Sequence, residues 1–273
     1  MNIDQLRQGV NQALDNQVTQ YCSTISEIDE QLIPIANSLK DYLAEGKRFR
    51  PIFALIGFIG ANGKLTEHVY KATAALEFLQ ASALIHDDLM DGSDTRRGKP
   101  AMHKQFGDAA AILIGDLALV WNEQALHLSG MQSDALNKIH DVMRTELMAG
   151  QFLDVYEQTQ KSYSVERSLK IARYKSGKYS IERPLHYGAA LASPINLDSY
   201  FDIYSEYGLP LGEAFQLRDD LLGVFGDPAE TGKPAGDDLR EGKRTALIAY
   251  AYDRGDAATK NLIDQKLGTA DID

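Results

Sequence analysis

Cys22 is the one cysteine in this 273-residue chain, which excludes an internal disulfide and any cysteine-built metal centre. Long hydrophobic runs are missing too. The longest, Ile52 to Ala61, holds two glycines and falls well short of the ~20 residues that span a bilayer, so no transmembrane segment is expected. The N-terminus has no basic segment followed by an apolar stretch, and the expected location is cytoplasmic. Positive charge is in deficit, with 28 Lys and Arg against 39 Asp and Glu for a net charge of -11. That balance argues against nucleic acid as a partner, because phosphate backbones require a surplus of basic side chains. Runs of alternating β-branched residues between Asn-Gly or Asp-Gly turns are absent, and so is any low-complexity linker.

What is present is helical periodicity. Prolines and glycines cluster between long periodic stretches. The pattern predicts helices near 4–20, 25–44, 48–61, 66–91, 108–129, 133–159, 164–191 with a break around Ser176-Gly177, 197–225 with a kink at Pro210, 240–253 and 256–268. Ser133, Ser164 and Asp256 stand where N-caps belong. With 44% hydrophobic residues the chain can bury a substantial core. The expected architecture is all-α, one domain over residues 1–273, built as a large helical bundle around a central cavity.

Two acidic clusters stand far apart, Asp87-Asp88-Leu89-Met90-Asp91 and Asp219-Asp220-Leu221-Leu222-Gly223, and each is followed by a Gly-Lys-Pro, at Gly98-Lys99-Pro100 and Gly232-Lys233-Pro234. On a helix, Asp87 and Asp91 share a face, while Asp220 sits one residue round from Asp219. Carboxylates crowded on one face repel unless cations lie among them. Hard oxygen ligands that leave room for water and phosphate suit Mg²⁺, which binds through one or two carboxylates plus substrate oxygens. Basic residues accompany the acids. Lys47 and Arg50 lie three apart at an expected helix start, where free N–H groups add to the positive field, and Arg96-Arg97 follows the first acidic cluster. Either basic set alone would read as a solvated surface; beside matching acid clusters, they suggest a metal-bridged diphosphate site.

Five ordered motifs, Gly46-Lys47-Arg48-Phe49-Arg50-Pro51, Leu84 to Asp91 with Arg96 to Pro100, Gly150-Gln151-Phe152-Leu153-Asp154, Tyr174-Lys175-Ser176 and Phe215 to Asp220, together resemble the trans-isoprenyl diphosphate synthases, the polyprenyl synthetase family. The resemblance covers about residues 40 to 250. It implies head-to-tail condensation of isopentenyl diphosphate with an allylic prenyl diphosphate, with about three Mg²⁺ per site, Mn²⁺ as a substitute, and a homodimer. By the same resemblance, Asp87, Asp91 and Asp219 would be metal ligands, Asp88 and Asp220 would support them, and Asp154 would act on metal through water that Gln151 also orients. Lys47, Arg50 and Arg97 would hold isopentenyl diphosphate, with Gln80 in a place where many members carry His, and Arg96 would touch the allylic diphosphate. Lys175, Lys233 and Lys243 would neutralise the leaving diphosphate, while Ser176 and Gln216 face the allylic cation.

Asp154 and Gln80 also read as a solvated and an interface residue, respectively, and Asp237-Asp238 as a solvated helix start or an addition to the second metal wall. Gly223 departs from the family pattern, which places a third Asp there, and the C-terminal helices are expected to be shortened. One turn before Asp87, Ser82 and Ala83 are small where short-chain members place an aromatic ring, and Leu79 and Leu76 follow on that face. A product of about C20, within C15 to C25, is therefore expected. The competing readings are a non-catalytic subunit of a heteromeric synthase, which would usually lose the first cluster or the arginine pair, and a class I terpene cyclase, which has no use for Lys47 and Arg50.

Overall fold

The structure, a computed structural model, describes residues 2–160, 162–227 and 236–269. The helices among them are α1 (Ile3–Ser26), α2 (Ile33–Ala44), α3 (Phe49–Gly60), α4 (Glu67–Asp91), α5 (Met102–Phe106), α6 (Asp108–Leu128), α7 (Asp134–Gln158), α8 (Val165–Ala172), α9 (Arg183–Ala192), α10 (Leu197–Phe225), α11 (Asp237–Arg240), α12 (Ala246–Arg254) and α13 (Ala257–Lys266). A π-helical segment, Arg173–Glu182, joins α8 to α9. Extended pairing among the described residues is limited to β1 (Thr95–Arg96) against β2 (Lys99–Pro100), with Thr95 opposite Pro100. The all-α class expected from the sequence is the class observed.

The three expected N-caps are in place. Ser133 accepts from the Leu136 amide at 3.2 Å, Ser164 from Arg167 at 3.2 Å and Asp256 from Thr259 at 2.8 Å, each satisfying a first-turn N–H that has no intrahelical partner. Two boundaries differ from expectation. The second helix starts at Ile33 rather than near 25, because α1 continues to Ser26 and a single 3₁₀ turn, Glu30–Leu32, follows, capped by Asp29. Pro34 then sits in the first turn of α2, where its missing N–H costs nothing. The expected helix 240–253 is interrupted after Arg240, and α12 begins only where Thr245 caps it. The break anticipated at Ser176-Gly177 takes the form of the π segment, whose wider turn is often found at functional sites. α10 runs through Pro210 without ending.

The chain divides into two compact units. The first comprises residues 1–89, 101–140 and 183–204. Its core is centred on Tyr21, Phe78 and Trp121, whose ring centroids lie 5.4 to 6.0 Å apart, the spacing that aromatic quadrupoles favour. Burial pushes the Tyr21 phenol up to about 12. α3 and α9 meet backbone to backbone, since a Cβ on Gly57 would enter the Leu185 carbonyl and one on Gly188 the Ala54 carbonyl. Several buried polar groups in this core are paired: Tyr187 donates to Ala72 O at 2.8 Å, and Asn122 donates to Ala75 O at 2.8 Å and meets His140 Nε2 at 2.8 Å. His86 is spent in the same way, on the Ile112 carbonyl at 3.0 Å.

By length and composition α6 could cross a membrane, the one helix among the described residues that could, but 44% of its apolar window is buried within the protein. Its other side carries Ile112, Leu113 and Val120, the last two 67% and 60% exposed.

The second unit comprises residues 90–100, 141–182 and 205–273. Glycines again set its packing. A Cβ on Gly150 of α7 would run into the backbone of Tyr174 and Lys175, and Gly177 faces Gly212 of α10 with backbone atoms on both sides. This unit holds α10's acidic end, the π segment, the α7 motif and the β1–β2 hairpin.

Candidate active site

In the first unit, Gly46 and Arg48 both adopt positive φ, 138° and 58°, and turn the chain sharply into α3. Lys47 is exposed and Arg50 half-buried, on either side of the α3 start. The Arg48 side chain makes no cap on α3. On α4, Gln80, Ala83, Leu84 and Asp87 form a half-buried stripe at helical spacing, and Asp88 is buried. Of the expected chain-length residues, Ser82, Leu79 and Leu76 are fully enclosed in the core, and Ala83 lies on the half-buried stripe.

In the second unit, Arg97 and Gly98 both take positive φ, 53° and 74°, as the two-residue turn of a tight hairpin requires. That turn leaves Arg96 half-buried at the end of β1 and Arg97 exposed. The Asp91 carboxylate, whose side chain is 1% exposed, receives Lys243 Nζ at 2.8 Å. The same ammonium reaches Glu241 at 2.6 Å and Asp238 at 3.5 Å, and Ser93 donates to Glu241 at 2.7 Å. The segment around α11 is thereby tied to the chain just beyond α4. Lys175, from the π segment, donates to Asp154 of α7 at 2.6 Å. Two cations and two acids singled out in the sequence therefore pair with each other. Ser176 is buried beside Lys175, and Gln151 lies against Met90 at 3.9 Å from its sulfur. Lys233 lies outside the described residues.

At the end of α10, Asp219 is exposed and Asp220 buried. Gln216 donates to Asp220 at 2.7 Å. The Asp220 carboxyl is pushed up to about 7, first by burial and then by the charges of Asp238, Asp219 and Asp154, against the lowering effect of Gln216. The place that a side chain at Gly223 would occupy is filled by the Asp238 carboxylate, whose Oδ2 lies well inside contact distance of a Cβ built there. Sequence reasoning left Asp238 between two readings and gave no role to Glu241 or Ser93. The signal for Asp238 was the glycine itself, an opening where an acid was expected.

Beyond burial, the carboxylates of Asp238, Asp219 and Asp154 add to the rise at Asp220, and a hard dication would relieve that share. The donors here are oxygens only, with no thiol or imidazole among them. Among the described residues, no three His, Cys, Asp or Glu side chains converge to hold a metal by themselves. Both features fit Mg²⁺, which takes few protein ligands and completes its shell with water and phosphate.

The charge on Asp220 should be visible in stability. Its folded-state value lies above that of the unfolded chain, so its contribution is fully present below about pH 4 and is lost as pH rises through about 7. Asp220→Asn is expected to raise the melting midpoint of the metal-free protein near pH ~8, by ~2–4 °C for each ~1 kcal/mol relieved, and to leave it unchanged near pH ~4. An equal shift at both pH values in thermal melts would remove the charge as the cause.

Comparison with known proteins identifies the family. The family model described as polyprenyl synthetase matches residues 34–273. The geranylgeranyl diphosphate synthase of Saccharolobus solfataricus is 33% identical over 234 residues, 83% of this chain and 69% of that protein. The short chain isoprenyl diphosphate synthase of Methanocaldococcus jannaschii is 32% identical over 263 residues, 91% of this chain and 77% of that one. A crystal structure of geranylgeranyl pyrophosphate synthase from Corynebacterium glutamicum, complexed with isoprenyl diphosphate and magnesium, superposes with a TM-score of 0.92 at 40% identity, covering 100% of this chain and 84% of the other. The chain belongs to the polyprenyl synthetase family, and its fold is that of the isoprenyl diphosphate synthases.

Proposed function

We propose that this protein is a Mg²⁺-dependent trans-prenyltransferase that joins isopentenyl diphosphate head-to-tail to an allylic diphosphate and releases diphosphate. The observation that carries this reading is the pairing of family-motif acids with lysines that the resemblance assigns to the leaving diphosphate, Asp91 with Lys243 and Asp154 with Lys175. Such a set handles exchangeable anions and cations. The allylic C–O bond to diphosphate breaks, the isopentenyl double bond attacks the allylic carbon, and a proton leaves the adduct. Bound Mg²⁺, about three ions in the family pattern, would neutralise the departing diphosphate. Asp87, Asp91 and Asp219 are the residues proposed to hold it, with Asp88 and Asp220 in support and Asp154 and Gln151 acting through water. Lys175, Lys233 and Lys243 would take up diphosphate charge, Lys47, Arg50, Arg97 and Gln80 would bind isopentenyl diphosphate, and Arg96 would bind the allylic partner. Ser176 and Gln216 would present oxygens to the cation, a stabilisation that needs no reorganisation as charge develops.

A product of about C20 is favoured by the relatives from S. solfataricus and C. glutamicum, both named as C20 synthases, and by the small residues before Asp87. Incubation of labelled isopentenyl diphosphate and Mg²⁺ with each allylic primer, followed by product sizing, tests the activity; the absence of any elongated product would end this reading. Ala83→Phe puts a ring on the half-buried stripe of α4, one helical turn before Asp87, and is expected to shift the product to C15. Ser82→Phe should do the same at a greater cost in stability, ~1–3 kcal/mol, because Ser82 is fully enclosed. An unchanged chain-length distribution in an active Ala83→Phe enzyme would place the limit elsewhere.

The exposed Ile112, Leu113 and Val120 on α6 suit a two-fold homodimer. Sedimentation should give twice the chain mass at micromolar concentration, and a stable monomer would contradict it.

A further inference from the structure

Arg48 stands inside the Gly-Lys-Arg-Phe-Arg-Pro motif, yet the reading above gives it no task. Its side chain turns inward and is 4% exposed. Nε donates to Asn11 Oδ1 at 2.8 Å. Nη1 donates to the Glu45 carbonyl at 3.0 Å and to Glu77 Oε2 at 2.7 Å. Nη2 donates to the carbonyls of Leu43 and Ala44 at 2.6 and 3.0 Å. A guanidinium has five N–H donors in a rigid fork, and here they meet five acceptors. Three of those are carbonyls at the end of α2 that have no onward helical partner. The fourth belongs to α1. The fifth, Glu77, lies on α4 one turn before Gln80 and is itself buried, so this ion pair is enclosed on both sides.

The backbone of Arg48 is equally particular. At φ 58° it occupies the left-handed region, which a non-glycine residue holds only when its surroundings impose it. Arg48 is also the residue that opens α3, a position usually given to Ser, Thr, Asp or Asn so that a side-chain oxygen can satisfy the first amides. A guanidinium donates and has no acceptor, so Arg48 supplies no such cap.

We infer that Arg48 is the positioning residue of the isopentenyl diphosphate site. Its guanidinium pins the turn that presents Lys47 and starts α3 at Arg50, registers that turn against the part of α4 carrying Gln80, and leaves the α3 amides uncapped by its own side chain. The inference rests on the assignment of Lys47 and Arg50 to isopentenyl diphosphate. Arg48 touches no substrate in this account and acts through its two neighbours.

Arg48→Lys preserves a cation against Glu77 but cannot serve five acceptors. It is expected to raise KM for isopentenyl diphosphate roughly tenfold, to leave kcat and the allylic KM within about twofold, and to weaken isopentenyl diphosphate binding in calorimetry to the same degree. Glu77→Gln, which keeps an acceptor for Nη1 without the charge, should show the same split at about threefold. A residue serving general stability alone would move both substrates together or neither, and that result in both variants overturns the proposal. Arg50→Ala is the control: if it weakens isopentenyl diphosphate binding while the Arg48 and Glu77 variants do not, the positioning role falls alone. If Arg50→Ala itself leaves binding unchanged, the assignment of this site falls and the positioning role falls with it.

Discussion

Asp219→Ala is expected to cut turnover by at least ~10³-fold, because loss of one preorganised charge-stabilising contact in a reaction of this type costs about 10²–10³ and Asp219 would in addition anchor a metal ion. Asp219 is exposed and lies on the last turns of α10, so its removal leaves the core untouched. It also lightens the negative charge bearing on Asp220. The metal-free variant should therefore melt at the same temperature as the parent or slightly higher. The decisive measurement is kcat at saturating Mg²⁺ with both substrates. A loss below tenfold in a folded variant would mean that the second cluster does not take part in ionisation. Asp87→Ala should match it from α4, where Asp87 lies on the half-buried stripe and not in the core.

Lys243→Met is expected to have opposite effects on metal binding and on catalysis. In the metal-free protein the ammonium lies 2.8 Å from Asp91 and 2.6 Å from Glu241, both largely enclosed. Taking away one partner of a buried pair leaves an uncompensated charge, a cost of about 3–5 kcal/mol. The variant should thus be markedly less stable without metal. Mg²⁺ should then recover much of that loss, because the Lys243 ammonium no longer competes with it for Asp91, and the Mg²⁺-dependent rise in melting temperature should exceed that of the parent by several degrees. Turnover should fall by about 10²-fold, since a charge on the leaving diphosphate is gone. Melting curves across a Mg²⁺ titration, without substrate, read the first effect independently of activity. A variant as stable as the parent and no more responsive to Mg²⁺ would show that Lys243 and Asp91 are not exchanging partners.

Features that depend on neighbours in sequence were readable before any coordinates. The caps at Ser133, Ser164 and Asp256 are local hydrogen bonds, and the helical periodicity that gave the all-α class is a local repeat. The motifs bearing Asp87, Asp154, Lys175 and Asp219 were legible because the chemistry needs those residue types at close spacing. The pairing of Lys243 with Asp91 was not, since it joins residues far apart in the chain and depends on how α11 folds back toward the end of α4. The part played by Arg48 is not legible in the sequence because it is tertiary: its acceptors are backbone carbonyls of α2 and side chains of α1 and α4. The sequence predicts too early a start for the second helix because nothing in residues 25–32 is a strong helix breaker, whereas the observed stop relies on the Asp29 turn and on Pro34 opening α2.

The contact made by Gly150 with the π segment, and that between Gly177 and Gly212, have a mechanical consequence. Side chains can repack around a new methyl group, but peptide planes have nowhere to go, so any residue other than glycine at Gly150 or Gly212 acts as a wedge, and one at Gly177 presses on the Gly212 backbone. The pieces of chain that carry Asp154, Lys175 and Asp219 are in this sense keyed together, and the spacing of their charges is fixed by backbone thickness and not by side-chain choice. Variation that tunes an enzyme of this build for a longer or shorter substrate should accordingly accumulate away from these keyed segments, on surfaces such as the α4 stripe where a side chain can grow or shrink without prising a helix loose.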